Sequence, residues 1–134
     1  GINNARGGIE GRTRNNLLSL ESHLLSYAGD AAQAIFNKTQ DISWAKKWYD
    51  ATKLSADMTK ESEPLHSAHA YGFAGNAASI LSKITRRREW TESAIECYNI
   101  FLNYFKANPN PKMDRVVERI GHSVEFLSGF LLPQ

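Results

Sequence analysis

The chain is poor in the residues that would place it in several large classes of protein. It has one cysteine, Cys97, among 134 residues, so no internal disulfide can form and a reducing compartment is expected. It has no run of about 18 apolar residues, the length that a membrane-spanning helix needs. Its first residues also lack the apolar core of a secretory signal. These features lead us to expect a cytoplasmic protein with no membrane partner.

The chain also has little excess of one sign of charge over the other. Sixteen lysines and arginines face fourteen aspartates and glutamates, which gives a net charge of +2 at pH 7. Such a small charge provides little bulk attraction to nucleic acid or to anionic lipid. Apolar residues make up 42% and charged residues 22% of the chain, ordinary values for a folded domain. A chain of this length can bury roughly two-thirds of its unfolded surface, so one domain with a real core is expected.

Local motifs that carry catalysis are missing from the sequence. There is no Gly-x-Ser-x-Gly, no phosphate-binding glycine loop and no His-Glu-x-x-His. Cys97 falls on the apolar stripe of a predicted helix, which favours a buried and inert thiol. His66 and His69 could share a helix face, but zinc usually needs three or four protein ligands, and His69 aligns with His23 in the repeat described next. We therefore expect no enzyme activity, no metal site and no cofactor.

The chain contains an internal repeat of 46 residues. Aligning the sequence with itself at this shift gives seven identities between His23 and Trp44, where chance would give about one or two. Gly121 falls on the same position as Gly29 and Gly75 when the shift is applied again. The identical pairs are His23 with His69, Ala28 with Ala74, Gly29 with Gly75, Ala31 with Ala77, Ala32 with Ala78, Thr39 with Thr85 and Trp44 with Trp90.

Each repeat has the apolar spacing of two helices, and no segment shows the sustained alternation of a strand. Repeat 1 is predicted to cover about residues 14–60, repeat 2 about residues 62–108 and a closing helix about residues 111–132. We expect one all-α domain over residues 13–134, an antiparallel five-helix segment of a right-handed α-α superhelix. Residues 1–12 are rich in glycine and include Ile-Glu-Gly-Arg, which resembles a protease site of expression vectors. They are expected to be a flexible lead or a vector remnant.

The predicted helices come with caps and buried stripes. Asp41 and Asn110 are expected to cap helices two and five, and Pro64 fits the first turn of helix three. Mid-helix glycines such as Gly29 and Gly75 predict close helix crossings, with a tryptophan of the partner helix filling the gap. The apolar stripe of helix one is predicted to face the core and consists of Leu17, Leu20, Leu24, Tyr27, Ala28, Ala31 and Ile35.

The repeat resembles the tetratricopeptide group of helical repeats in its broad sense. Each first helix has an internal small residue, and each second helix has an alanine followed four residues later by an aromatic residue. These steps are Ala45 to Tyr49 and Ala94 to Tyr98, which lie 49 residues apart. The resemblance covers about residues 14–132, with a longer period than the usual repeat of about 34 residues. It implies a scaffold that binds a peptide segment or a helix of a partner protein, and it implies no catalytic residues.

Three groups of residues are candidates for binding. Tyr71 and Asn76 lie outside the main apolar stripe of helix three and are expected to line an exposed groove, while the tryptophans are expected to be core. Arg86, Arg87 and Arg88 form a basic turn that could bind phosphate, although the small net charge favours a solvated turn at a helix C-terminus. The last group lies on the closing helix, which is apolar on more than one face.

That closing helix predicts an interface. Its exposed apolar residues, above all Phe126 and Phe130, suggest a protein partner, self-association or a chain that belongs to a longer array. Molar mass measured over a concentration series tests self-association. The sequence therefore predicts a non-enzymatic protein-interaction scaffold. The alternative is a nucleic-acid-binding helical protein that uses the turn Arg86–Arg88, and a small helical enzyme without a recognisable motif is a third hypothesis.

Overall fold

A computed structural model describes the backbone of residues 2–132 and the side chains of residues 13–132. Over this part of the chain the fold is all-α, with five helices and no strand. Consecutive helices pack against each other, so the chain forms a stack in which α3 lies between α2 and α4. A short 3-10 turn, Pro111–Met113, precedes α5. The helices are α1 (Ile2–Thr39), α2 (Ile42–Thr59), α3 (Pro64–Thr85), α4 (Arg88–Ala107) and α5 (Asp114–Gly129).

Local sequence signals account for most of the helix boundaries. The Asp41 carboxylate accepts a hydrogen bond of 2.9 Å from the backbone N–H of Ser43, which caps α2 as predicted. Pro64 is the first residue of α3, where a missing N–H has no cost. Asn110 accepts a hydrogen bond from the N–H of Lys112 and so caps the 3-10 turn that leads into α5. The predictions for Asp41 and Pro64 are confirmed, whereas Asn110 caps the 3-10 turn rather than α5 itself, which begins at Asp114.

The turn between α1 and α2 and the turn between α3 and α4 have the same backbone geometry at positions 46 residues apart. Gln40 and Arg86 both adopt the left-handed conformation, with φ of 58° and 59°. Their N–H groups donate to the carbonyls of Phe36 and Ser82, which are also 46 residues apart. The same turn geometry in both units shows that the sequence repeat is a structural repeat.

Burial follows the same register. The residues of α2 that are buried include Ala45, Trp48 and Thr52, and their equivalents in α4, Thr91, Ala94 and Tyr98, are buried as well. The structural equivalence of the second helices is therefore 46 residues, and the 49-residue spacing between the alanine–aromatic steps is not the register of the fold. Thr52 and Tyr98 occupy one and the same position of the repeat.

The glycine crossings exist, but their partners differ from the prediction. A Cβ atom built on Gly29 would lie 2.7 Å from the Thr52 side chain, and one built on Gly75 would lie 2.5 Å from the Tyr98 ring. The predicted tryptophan fillers are wrong, because Trp48 packs instead among Ala32 and Ala77. Threonine and tyrosine at equivalent positions fill the two gaps.

The buried face of α1 also differs from the prediction. Leu17, Leu20, Leu24 and Tyr27 are 58–67% exposed, and Ala28 and Ala31 are exposed too. The side of α1 that packs on α2 consists mainly of small and polar residues with one phenylalanine at its end: Ser22, Ser26, Gly29, Ala32 and Phe36. The stripe prediction is wrong for these residues because α1 packs on α2 through its small and polar side, which leaves the leucines on the exposed side.

Two helix ends lie away from their predicted places. The helix α1 begins at Ile2, ahead of the predicted start at Arg14, and α5 ends at Gly129, before the predicted end at Leu132. The side chains of residues 1–12 are outside the described part of the chain, and the flexible lead or vector remnant stays a prediction. Among the residues that the structure describes, no helix combines the length and the apolar character that crossing a bilayer requires.

Arg86→Gly is expected to stabilise the fold by about 0.5–1 kcal/mol. A left-handed residue at a helix end is strained by its Cβ atom, and glycine removes that strain at the position where helices most often use it. Thermal unfolding followed by circular dichroism measures the change. The matched variant Arg86→Ala removes the same charge but keeps the Cβ atom, so it should give no such gain. Equal stabilisation by both variants would attribute the effect to charge rather than to backbone strain.

Candidate functional site

Three adjoining recesses follow the surface formed by the first helix of each unit, α1, α3 and α5. We call this surface the first-helix face. Phe73 lines both the recess between α1 and α3 and the first recess between α3 and α5. Arg119 lines that recess and also a wider groove further along α3 and α5. Shared lining residues make the three recesses one continuous surface.

The first-helix face presents the same repeat positions from each unit. Tyr27, Phe73 and Arg119 are equivalent under the shift of 46, and all three are exposed. The recesses are lined at two further sets of equivalent positions, at Asp30, Asn76 and His122 and at His69 and Arg115. Because side chains at equivalent positions point the same way in a regular stack, the chain presents a layered surface whose chemistry changes from unit to unit.

The groove between α3 and α5 has a volume of about 550 Å³. We call it the basic groove, because Lys83, Arg115 and Arg119 line it together with one carboxylate, that of Glu118. Among residues 13–132, the ion pairs within 4.0 Å join Lys53 to Asp57 and Arg88 to Glu92. The three cations of the groove are therefore not neutralised by an ion pair within the described part of the chain. The remaining lining residues are Ser79, His122, Ser123, Phe126 and Leu127.

The aromatic part of this site comes from α5. Phe126 is 57% exposed, and the Lys83 ammonium lies 5.7 Å from the centroid of its ring. The Phe130 ring meets the Phe126 ring edge to face, with 4.9 Å between their centroids. The predicted exposure of Phe126 and Phe130 is confirmed, and the structure adds a lysine beside the first ring.

Asn76 lies in the recess next to the basic groove, as predicted. Its side-chain oxygen accepts a hydrogen bond of 2.7 Å from the Tyr98 hydroxyl, which fixes the orientation of the amide. Burial raises the pKa of Tyr98 to about 12, so the hydroxyl stays a donor at neutral pH. Asn76 lines this recess together with Phe73 and Arg119, and its amide nitrogen is a hydrogen-bond donor.

Tyr71 does not line a groove, and that prediction is wrong. Its side chain is 2% exposed and packs with Ala56, Ala74 and Cys97, between α2 and α4. Its hydroxyl donates a hydrogen bond of 2.6 Å to Asp57. Because α3 is covered by helices on two sides, a residue off its main apolar stripe is still buried. The hydrogen bond with Asp57 satisfies the polar end of the ring.

The basic turn contributes to a separate recess of about 280 Å³. Arg86 and Arg88 line it together with Phe130, so the structure brings two of the three predicted groups of binding residues close together. Arg88 is already paired with Glu92, at 2.7 Å. Arg87 is exposed and does not line this recess.

A buried polar network lies behind the first-helix face, and the sequence analysis missed it. Ser22 and Ser55 hydroxyl oxygens are 2.6 Å apart, and His66 Nε2 lies 2.8 Å from Ser22 and 3.2 Å from Ser55. Burial, with the neighbouring His23, lowers the pKa of His66, which favours the neutral ring. A serine hydroxyl and a histidine nitrogen at this distance could suggest a nucleophile, but the Ser22 side chain is completely buried. These hydrogen bonds link α1, α2 and α3, so the network has a structural role.

The other candidate reactive groups are also accounted for by packing. Cys97 is buried, and burial raises the pKa of its thiol to about 12, which makes a thiolate rare at neutral pH. His69 packs against the rings of Phe101 and Phe105, whereas His66 faces Ser22, so the two histidines do not converge on one point. Among the described residues, no three His, Cys, Asp or Glu side chains are arranged to hold a metal ion.

Comparison of the chain with protein-family models, with curated proteins and with solved structures gives no significant match. The resemblance to tetratricopeptide repeats therefore stays a prediction from the sequence. What the structure itself contributes is the repeated helix pair and the layered first-helix face.

Proposed function

We propose that this chain is a non-enzymatic interaction scaffold whose first-helix face binds a segment of a partner protein. The observation that carries the proposal is the position of Phe73, which is 48% exposed at the junction of two recesses. A large ring beside recesses on both sides is the kind of anchor around which protein interfaces concentrate their binding energy.

The surroundings of Phe73 support a peptide as the ligand. Asn76, on one side of the ring, is held by Tyr98 and offers its amide as a hydrogen-bond donor, while Asp30, on the other side, offers a carboxylate. Groups of this kind can pair with the backbone N–H and C=O of an extended segment. The three helices of this surface are held by α2, which packs against α1 and α3, and by α4, which packs against α3 and α5. Little of the surface therefore needs to be ordered on binding.

Selection of a displayed random-peptide library on the immobilised chain tests the proposal. Individual enriched peptides should bind with affinities in the micromolar range and lose at least about tenfold when Phe73 is replaced by alanine. Leu54→Ala is the matched control, because Leu54 is 49% exposed but lies on α2, away from the first-helix face. Failure to enrich any peptide, or equal loss with both variants, would reject the first-helix face as the binding surface.

The proposal includes a protein partner and a cytoplasmic location, for which the single buried cysteine is suited. Nucleic-acid binding by the basic turn ranks second, because Arg88 is paired with Glu92 and the turn offers few unpaired cations. Self-association through Phe126 and Phe130 is a further proposal, and Phe130 lines the same recess as Arg86 and Arg88. If the chain forms a dimer through these rings, selected peptides that compete with dimer formation would show that peptide binding and self-association use the same surface.

A further inference from the structure

We infer that the basic groove selects an acidic segment of the partner, one with a large apolar side chain beside its carboxylates. This inference rests on the proposed function and names the chemistry of the ligand. It is carried by the arrangement of charge and aromatic surface between α3 and α5, which the sequence does not place together.

Charge complementarity gives the sign of the ligand. Lys83 comes from α3, while Arg115 and Arg119 come from α5, and all three line one groove. Among the described residues that line this groove, Glu118 is the one with a carboxylate. The groove thus has a formal charge of +2, from three cations and one anion, which equals the net charge of the whole chain. Charges focused in one depression attract an oppositely charged ligand more strongly than the same charges spread over the surface.

The aromatic neighbour gives the second feature of the ligand. Phe126 lies next to Lys83, and Leu127 forms an apolar part of the same lining. An acidic side chain bound to Lys83 would place its neighbouring residue over Phe126 or Phe130, where an apolar side chain can be buried. Guanidinium groups on Arg115 and Arg119 suit carboxylates, since each can donate two parallel hydrogen bonds.

The same features disfavour a polyphosphate. Affinity for nucleic acid rises with the number of phosphates that a protein neutralises, and this groove offers three cations with Glu118 among them. Arg86 and Arg88 line a different recess, and Glu92 already pairs with Arg88. A short acidic peptide, in which carboxylates flank single apolar residues, requires only the small basic surface that the groove provides.

Fluorescence anisotropy with two labelled octapeptides tests the inference. One peptide has the sequence Glu-Glu-Leu-Glu-Glu-Phe-Glu-Glu, and the other has glutamine at every glutamate. We expect the acidic peptide to bind at least about tenfold more tightly than the glutamine peptide, a preference that shrinks as NaCl is raised from about 50 mM to about 300 mM. Equal binding of the two peptides, or binding of neither, would overturn the inference.

Variants of the full chain locate the site. Lys83→Gln and Arg119→Gln should each weaken binding of the acidic peptide about three- to tenfold. Lys46→Gln changes the net charge equally on the exposed surface of α2 and should leave the affinity unchanged. Thermal melts confirm that the variants are folded. Equal losses in all three variants would mean attraction to overall charge and would refute a dedicated groove.

Two further outcomes separate this inference from the proposed function. If library-selected peptides depend on Phe73 but not on Lys83 or Arg119, the scaffold function stands and the acidic specificity falls. If a labelled oligouridylate binds more tightly than the acidic peptide and is lost in Arg86→Gln, nucleic acid is the ligand and both proposals fall.

Discussion

Gly75→Ala is expected to lower the free energy of unfolding by about 1–3 kcal/mol, whereas Gly121→Ala should raise it by about 0.5–1 kcal/mol. The two glycines are equivalent in the repeat. A Cβ atom on Gly75 would lie 2.5 Å from Cδ1 of the buried Tyr98 ring, while one on Gly121 has no atom of another element within 4 Å. The gain at Gly121 reflects the higher helix propensity of alanine, and at Gly75 the steric cost exceeds that gain.

Tyr98 cannot move away cheaply to accommodate the extra atom. It is buried in the core with Phe101 and Phe105, and its hydroxyl is bonded to Asn76. Thermal or urea unfolding of the two single variants gives the comparison. A double-mutant cycle completes it: in a Tyr98→Ala background, the penalty of Gly75→Ala should largely disappear. A penalty that persists without the ring would mean that backbone packing, rather than Tyr98, forbids a side chain at position 75.

This pair of glycines also shows what the sequence can and cannot predict. The shift of 46 aligns Gly29, Gly75 and Gly121, and the structure bears out that register in the turns and in the buried positions of α2 and α4. Identity of the three residues does not reveal that only the first two face a covering helix. Which neighbour is present depends on the position in the stack, and a repeat alignment treats all positions as equal.

The burial of small and polar residues is a second feature that the sequence does not predict. The α1–α2 contact includes Ser22, Ser55 and Gly29, none of which contributes to an apolar stripe. Such residues let two helices approach closely, and the hydroxyl groups satisfy one another and His66. The apolar periodicity of α1 therefore predicts that its leucine side is buried, whereas the side that packs on α2 is the small and polar one. Two buried serines at corresponding depths of neighbouring helices leave no pattern in hydropathy.

The basic groove could have been anticipated only in part. Arg119 aligns with Tyr27 and Phe73 under the 46-residue shift, and this alignment indicates a shared surface position. The meeting of Arg119 with Lys83 depends on the distance between α3 and α5, which the repeat register alone does not give. The predicted exposure of Tyr71 is wrong for a related reason, because the repeat register does not show that α3 is covered by helices on two sides.

Leu81→Ala is expected to lower the free energy of unfolding by about 2–5 kcal/mol, while Leu24→Ala should change it by less than about 0.5 kcal/mol. Leu24 belongs to the apolar stripe that the sequence predicts for helix one, and Leu81 lies on α3. In the structure Leu81 has no exposed surface and packs with Phe36 and Ala45, whereas Leu24 is 59% exposed. Removing Leu81 leaves a cavity among well-packed side chains, but removing Leu24 leaves only more solvent.

Urea unfolding of the two variants at several protein concentrations measures the difference. The concentration series also shows the cause if Leu24→Ala is more destabilising than expected. Leu24 lies on the face of α1 that corresponds, one repeat earlier, to the face of α3 at Ala70, which α2 helps to cover. If Leu24→Ala lowers the free energy of unfolding by more than about 1 kcal/mol and the loss grows with concentration, a second copy covers that face in solution. A large loss that does not depend on concentration would contradict the exposure of Leu24. Small losses at every concentration would show that the Leu24 side of α1 stays open to solvent, and that α1 is held in the fold through its opposite side, where Ala32 and Phe36 are buried against α2.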